Sequence, residues 1–236
     1  MKPLKVIKYY FNNFVEEVIN PVRVYKKPKI FCVGRNKTGT TSLNKAFTDL
    51  GFVVGNQRKA EKLARYYHIK DFKPIINYCR TAQVFQDVPF SWPDTFIEMD
   101  IAFPDAKFIL SVRDSAEQWY NSLINFMIKL FGKLPAKEDL MNAKYVYKGW
   151  FWENLQSRFG KFAEKDPWNK EMHISDYMNH NEKVKEYFHQ RPGKLLVINL
   201  AEKDSYSKFI EFLNIKSLYS EFPWENKTDN LKIRLK

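Results

Sequence analysis

The chain has 236 residues, with 39 Lys or Arg against 27 Asp or Glu, so its formal net charge is +12. A hydrophobic content of 44% is enough to bury a core, which excludes a wholly disordered chain. At about 100–200 residues per domain, the length predicts one large domain, with room for a small appendage. Two cysteines exclude a disulfide scaffold and a four-cysteine metal site. The charge favours anionic partners, although a solvated lysine-rich surface would explain it equally well.

The first 20 residues have the pattern of an amphipathic helix. Apolar residues recur at helical spacing and Asn20-Pro21 would end the helix. We expect this helix to pack on the body of the protein, with peripheral contact to a membrane or a second copy as the alternative. Interruption by Asn and Glu makes it a poor secretory signal, and no window of about 18 apolar residues predicts a membrane-spanning helix. Residues 1–28 are therefore read as a helix and connector, and 29–236 as a single domain.

Four apolar runs in that domain predict strands. They are residues 29–33, 84–87, 107–112 and 195–200. Amphipathic segments between them predict helices, and residues from about 131 to 190 read as a largely helical insertion, interrupted near Pro135 and Pro167. His180-Asn181 is typical of a helix start. Continuous apolar strands alternating with helices predict an α/β fold, with a mostly parallel central sheet and helices on both faces.

A polar loop, residues 34–42, follows the first strand and leads into a helix. Such a strand–loop–helix unit surrounds an anion with backbone N–H groups and the positive end of the helix. Lys37 adds a cation and Gly39 permits a tight turn. Because Lys37 precedes Gly39, the loop does not match Gly-x-x-x-x-Gly-Lys-Ser/Thr; a Thr-rich helix cap is the alternative. The candidate anion-binding residues are Arg35, Asn36, Lys37, Thr38, Gly39, Thr40, Thr41 and Ser42.

A second candidate anion site follows the third strand at Arg113. Its guanidinium can hold a phosphate bidentately, and ligands of open α/β sheets lie beyond the carboxyl ends of the strands. An ion pair with a neighbour such as Asp114 is the alternative.

Both segments resemble those of sulfotransferases that use 3′-phosphoadenosine 5′-phosphosulfate (PAPS). Lys37-Thr38-Gly39-Thr40-Thr41 is similar to their 5′-phosphosulfate loop. Residues 108–114, followed by Trp119-Tyr120-Asn121-Ser122, are similar to the motif in which an Arg and a later Ser hold the 3′-phosphate. Many members place that Ser eight positions after the Arg, which here is Asn121; we favour Ser122. Residues 195–213 with Phe222-Pro223 resemble the late strand, helix and nucleotide-capping tail more loosely.

The resemblance implies a P-loop-like sulfotransferase fold over residues 29–228 and transfer of a sulfuryl group from PAPS. The product nucleotide would be 3′-phosphoadenosine 5′-phosphate, and the acceptor a hydroxyl or amine of a small molecule or carbohydrate. Lys37 would neutralise the bridging oxygen as the nucleotide leaves. No metal and no nucleic-acid partner are expected. Golgi members carry a membrane anchor that this sequence lacks, so the expected compartment is the cytoplasm.

A hydroxyl acceptor must lose a proton, which calls for a general base. Asp87 is the first choice, because Asp87-Val88-Pro89 is similar to an Asp-x-Pro element in a subset of the family; a turn-capping Asp is the alternative. His68 is the next candidate. Asp94, Glu98 and His173 stay open. Several aromatic residues are candidates to line an acceptor pocket, although each one singly is more often core: Phe90, Trp92, Tyr145, Tyr147, Trp150, Phe151 and Trp152.

Two other functions compete with sulfuryl transfer. A P-loop kinase of nucleotides or small molecules would share the strand–loop–helix unit. A basic protein that binds nucleic acid or an anionic membrane would share the charge, but its affinity would fall steeply with salt and would not depend on a 3′-phosphate.

Overall fold

A computed structural model describes residues 3–223. Its sheet consists of β1 (Ile30–Cys32), β2 (Val84–Gln86), β3 (Lys107–Ser111) and β4 (Leu195–Ile198). The spatial order is β2-β1-β3-β4 and every pairing is parallel. All four predicted strands are therefore confirmed, each shortened by one to a few residues at its ends. The α/β fold with a parallel sheet is confirmed as well.

Helices occupy most of the remaining described chain. They are α1 (Pro3–Phe14), a π-helical turn (Val15–Ile19), α2 (Asn20–Arg23), α3 (Thr40–Asp49), α4 (Gln57–Glu61), α5 (Ala64–His68), α6 (Lys73–Tyr78), α7 (Thr95–Ala102), α8 (Ala116–Phe131), α9 (Lys137–Asn142), α10 (Trp150–Phe159), α11 (Lys161–Lys165), α12 (Lys170–Phe188) and α13 (Ser205–Leu213). None of the helices within residues 3–223 combines the length and apolarity needed to cross a bilayer.

The sheet is buried on both faces because successive side chains of a strand point to opposite sides. Phe31 packs into one apolar cluster with residues of α5, α6, α7 and α12, whereas Ile30 and Cys32 pack into another with α3 and α13. A third cluster joins α8, α9, α10 and α12 around Trp119 and Trp152. Residues 131–190 thus build a helical layer beside the sheet.

Two local predictions are wrong. Asn20-Pro21 does not end the N-terminal helix, which continues to Arg23. A π-helical turn, Val15–Ile19, comes directly before α2, and in it the Asn20 N–H donates to the Val15 carbonyl five residues back. Pro21 lies in the first turn of α2, where a proline is tolerated because an N–H at that position would have no intrahelical partner. His180-Asn181 lies inside α12, because Asn169 forms the actual N-cap by accepting from the Met172 N–H.

The predicted capping tail is described only at its start. Phe222 is buried against Tyr206 and Phe209, at ring-centroid distances of 5.1 and 5.0 Å. The rest of the predicted tail, from residue 224, lies outside the described residues.

Candidate active site

Three predicted site residues meet at one edge of the sheet, where parallel strands end side by side. Lys37 belongs to the loop after β1, Asp87 follows β2 and Arg113 follows β3. The Arg113 Nε donates a hydrogen bond to the Lys37 carbonyl at 2.7 Å. Asp87 is close enough to Lys37 for its negative charge to raise the pKa of Lys37, whereas burial lowers it. The carboxyl edge thus collects two cations and one carboxylate at adjoining strand ends.

The loop after β1 is fastened to β3 by its backbone and by Thr38. Gly34 lies so close to β3 that an added Cβ would come within 2.4 Å of the Ser111 carbonyl oxygen. The Thr38 hydroxyl donates to the Arg35 carbonyl at 2.6 Å and shares a second hydrogen bond with the Ser111 hydroxyl, also at 2.6 Å. The Thr38 side chain therefore stabilises the loop and is buried, rather than pointing outward as an anion donor.

Helix α3 begins immediately after this turn. Lys37 and Gly39 both have positive φ, 68° and 99°, which turns the chain sharply into the helix. Gly39 is the N-cap and offers no side-chain oxygen to the first helical N–H groups. Thr41 is exposed there, whereas Thr40 and Ser42 are buried. The positive end of α3 can therefore receive an anion beside Lys37.

Lys37 is a partly buried cation that contacts an aromatic ring. Its Nζ lies 3.8 Å from the centroid of the Phe126 ring, in contact with the ring's electron-rich face. Burial lowers the pKa of Lys37; the Asp87 charge opposes this and the Arg113 charge adds to it. An anion placed next to Lys37 would interact strongly because little water screens it.

Asp87 has two roles in the geometry. Its backbone has a φ of 55°, and its Oδ1 accepts from the Val88 N–H at 3.0 Å, as expected of a turn-capping Asp. Its carboxylate is also half-buried, and the resulting desolvation raises its pKa, while the charge of Lys37 acts in the opposite direction. The two interpretations are therefore compatible: Asp87 caps its turn and its charge also acts on Lys37.

The other predicted site residues lie away from Lys37, Asp87 and Arg113, or their polar groups form hydrogen bonds with other parts of the protein. The Arg35 guanidinium, 2% exposed, donates to the Ser91 carbonyl at 2.9 Å and to Asp176 at 2.8 Å. His68 uses both ring nitrogens, with Asn154 at 3.0 Å and Ser157 at 2.6 Å. Asn36 contributes its carbonyl, which accepts from the Trp119 Nε1 at 2.9 Å.

The remaining candidates have local partners. The Ser122 hydroxyl donates to the Gln118 carbonyl one turn earlier, at 2.9 Å. Asp114 accepts from the side chains of Gln118 and Asn199, so these polar groups, rather than Arg113, satisfy its carboxylate. Asp94 pairs with Lys183 on the surface at 2.5 Å.

Sequence reasoning missed Glu61 and Asp176. Glu61, 6% exposed, accepts from the Tyr145 hydroxyl at 3.4 Å. Its pKa is raised to about 7, chiefly by burial; the charge of Arg58 opposes this rise and the charge of Asp87 adds to it. Asp176 accepts from the guanidinium groups of both Arg35 and Arg158. The local sequence does not single out either residue, because each has the pattern of a solvent-facing acidic residue on a polar helix.

An aromatic-lined cavity of about 90 Å³ adjoins the loop. Its lining includes Trp92, Trp119, Phe126, Trp150, Phe151 and Trp168. Phe126 is also the ring beneath the Lys37 Nζ, so the cavity borders the cationic centre. Of the predicted pocket aromatics, Trp92, Trp150 and Phe151 line it, whereas Phe90 packs against Phe31 at 5.7 Å in the core. His173 also lines the cavity, and burial lowers its pKa to about 4.

Comparison with known proteins bears on this geometry. A search of curated proteins gives no significant match. A family model described as a sulfotransferase domain matches residues 29–231, which spans the sheet, the loop after β1 and the helical layer. The match covers most of the chain, and it agrees with the parallel sheet and its loop-bearing edge. The chain therefore belongs to the sulfotransferase family.

Proposed function

We propose that the protein transfers a sulfuryl group from PAPS to a hydroxyl, or an amine, of a small-molecule or carbohydrate acceptor, with residues 29–236 as one catalytic domain. The observation that carries the proposal is the meeting of Lys37, Arg113 and the N-terminus of α3 at adjoining strand ends, with Asp87 beside them. Transfer of a sulfuryl group in general follows from membership of the family.

The residues present fit a donor with two separate anionic groups. Lys37, the exposed Thr41 and the first N–H groups of α3 would hold the 5′ end. Arg113 is anchored through Nε on the Lys37 carbonyl, which would leave its terminal nitrogens for the 3′-phosphate. Ser122 would join Arg113 if its hydroxyl turned away from the Gln118 carbonyl. When bound, the donor supplies the sulfuryl group and the bridging oxygen on which charge develops as the nucleotide leaves.

Lys37 and Asp87 would divide the chemical work. Lys37 stabilises charge on the departing oxygen, and a preorganised donor of this kind contributes about 10²–10³ in kcat. Asp87 accepts the proton of the acceptor hydroxyl, so its carboxylate must be ionised before transfer. The cavity beside Phe126 would hold the acceptor with its reacting oxygen towards Lys37 and Asp87. Its aromatic lining supports an acceptor that carries a ring.

We also propose the cytoplasm as the compartment of this reaction. Both cysteines, Cys32 and Cys79, are free and buried, which suits a reducing environment.

Calorimetry tests the donor. 3′-Phosphoadenosine 5′-phosphate is expected to bind more tightly than ATP with Mg²⁺, because only the former offers Arg113 a 3′-phosphate. A preference for ATP would indicate a kinase and overturn the proposal. Affinity that depends on salt alone, with no effect of the 3′-phosphate, would indicate a general anion-binding protein. A transfer screen with sulfate-labelled PAPS over phenols, sugars and amines then identifies the acceptor.

Lys37→Ala tests the catalytic cation. We expect kcat for sulfate transfer to fall by about 10²–10³, because the departing oxygen loses its charge stabilisation. Lys129→Ala is the matched control, since Lys129 is an exposed lysine on α8, the helix that carries Phe126. Near-normal turnover of Lys37→Ala, measured with saturating donor, would refute the role of Lys37.

A further inference from the structure

The N-terminal segment, from α1 through the π-helical turn to α2, carries an apolar stripe on its solvent side. From residue 7 to residue 22 the stripe residues recur at intervals of three or four and so share one side of the helix, and one more lies in the turn that follows α2. They are Ile7, Phe11, Phe14, Val18, Val22 and Tyr25, with exposures of 65, 63, 53, 50, 77 and 73%. Isolated exposed apolar residues are ordinary, but a continuous apolar stripe marks an interaction surface. The predicted packing of this apolar side on the protein body is therefore wrong.

The opposite side of the same helix is fixed to the protein body by polar contacts. Glu16 and Glu17 each pair with Lys59 at 2.9 Å, and Glu16 also accepts from the Asn56 amide at 2.9 Å. Val24, 2% exposed, anchors the end of the segment in the core. A helix that only covers its own domain turns its apolar side inward. Here the side that bears Glu16 and Glu17 is attached to Lys59 and Asn56, so the attachment itself holds the stripe towards solvent.

The charges that accompany the stripe are positive. Arg23, Lys26 and Lys27 are exposed at its carboxyl end. The acidic residues of the segment, Glu16 and Glu17, are already paired with Lys59. Stacking two copies stripe to stripe would bring these like charges together. An anionic lipid surface complements them and also accepts the apolar side chains.

We propose that residues 3–27 dock the protein on anionic lipid membranes, with the segment lying in the plane of the interface and the stripe entering the acyl boundary. Phe11, Phe14 and Tyr25 would insert, while the basic residues contact lipid headgroups. This combination of an apolar side with flanking Lys and Arg is what binds helices to membrane surfaces without spanning them. The proposal concerns a surface separate from the sulfuryl-transfer site and does not depend on that activity.

Co-sedimentation of the full chain with vesicles tests the proposal. The protein is expected to pellet with vesicles of equal parts phosphatidylcholine and phosphatidylserine, and more weakly with phosphatidylcholine alone. Phe11→Ser combined with Phe14→Ser should lower partitioning by at least about tenfold, since two aromatic side chains no longer leave water. Phe162→Ser is the matched control, because Phe162 is 76% exposed on α11 outside the stripe, and it should partition like the parent.

Three results would overturn the proposal. One is the absence of sedimentation with the phosphatidylserine vesicles. Another is vesicle binding that is abolished by salt but is unchanged in the double variant, since such binding would be due to diffuse surface charge. The third is a dimer, seen by analytical ultracentrifugation, that the double variant dissociates while lipid binding persists unchanged. Matching thermal midpoints of the three proteins show that lost binding does not reflect unfolding.

Discussion

Lys37 and Asp87 carry opposite charges in a region where burial disfavours the charged form of each side chain. Burial lowers the pKa of Lys37 and raises that of Asp87, and each charge partly offsets the shift of the other. In the proposed reaction, Lys37 must be protonated and Asp87 ionised. The profile of kcat/KM against pH should therefore be bell-shaped, with an acid limb above the ordinary value for Asp, about 3.9, and an alkaline limb below that for Lys, about 10.4. These limbs belong to the coupled pair rather than to either residue alone.

Asp87→Asn separates proton removal from donor binding. We expect it to retain affinity for 3′-phosphoadenosine 5′-phosphate, because the groups proposed to bind the 3′- and 5′-phosphates stay in place. Transfer to a hydroxyl should fall by about 10²–10⁴, the usual contribution of a general base. The acid limb of the pH profile should disappear with it. Transfer that survives at the parental rate would assign the base to another group, and Glu61 would be examined next.

Glu61 should make the stability of the fold depend on pH. Burial raises its pKa from 4.5 to about 7. The unfolded chain therefore loses this proton first as pH rises, so the free energy of unfolding falls between about pH 4.5 and 7. The loss from this group is at most about 3 kcal/mol. Glu61→Gln should flatten this dependence, which urea unfolding at several pH values measures. An unchanged slope would show that Glu61 titrates normally.

At the scale of elements, the contact between the loop and β3 depends on a glycine. A Cβ on Gly34 would lie 2.3–2.7 Å from three atoms of Ser111, two of them backbone. Gly34→Ala must therefore separate β1 from β3, which we expect to cost about 1–3 kcal/mol or more and to displace Lys37. Gly51→Ala is the comparison, because an added Cβ there meets no described atom within 4 Å and only the φ of +80° is strained.

Urea unfolding and donor affinity together decide this prediction. Both glycine variants should lose stability, but only Gly34→Ala should also lose affinity for 3′-phosphoadenosine 5′-phosphate. Equal effects of the two substitutions on affinity would contradict the proposed fastening of the loop to β3.

At the scale of the whole molecule, Asp176 connects three parts of the chain. It lies on α12 and accepts from Arg35 in the loop after β1 and from Arg158 on α10. Burial alone would raise its pKa, but the charges of Arg158 and Arg35 outweigh burial and hold it below the usual range. The helical layer is thus tied to the loop-bearing edge of the sheet through one carboxylate.

Asp176→Asn leaves two guanidinium groups without their counter-charge. Arg35 is 2% exposed and Arg158 18%, so we expect a loss of about 3–5 kcal/mol in the free energy of unfolding. Asp94→Asn is the control, since its pair with Lys183 is exposed and should contribute about 1 kcal/mol or less. Equal urea midpoints for the two variants would show that Asp176 does not connect these elements.

Local patterns alone determined the sheet, the loop after β1 and the positions of Lys37, Asp87 and Arg113. Apolar runs and helical spacing are properties of near neighbours, and parallel strands necessarily bring their carboxyl ends to one edge. The resemblance to sulfotransferases rests on the same short segments, whereas the roles of these residues in catalysis stay predictions. Packing between distant segments decided the rest. It buried Glu61, paired Arg35 with Asp176 across 141 positions, and turned the Thr38 hydroxyl inward. It also set the apolar stripe of the N-terminal helix outward, because Lys59, far along the chain, holds the acidic side.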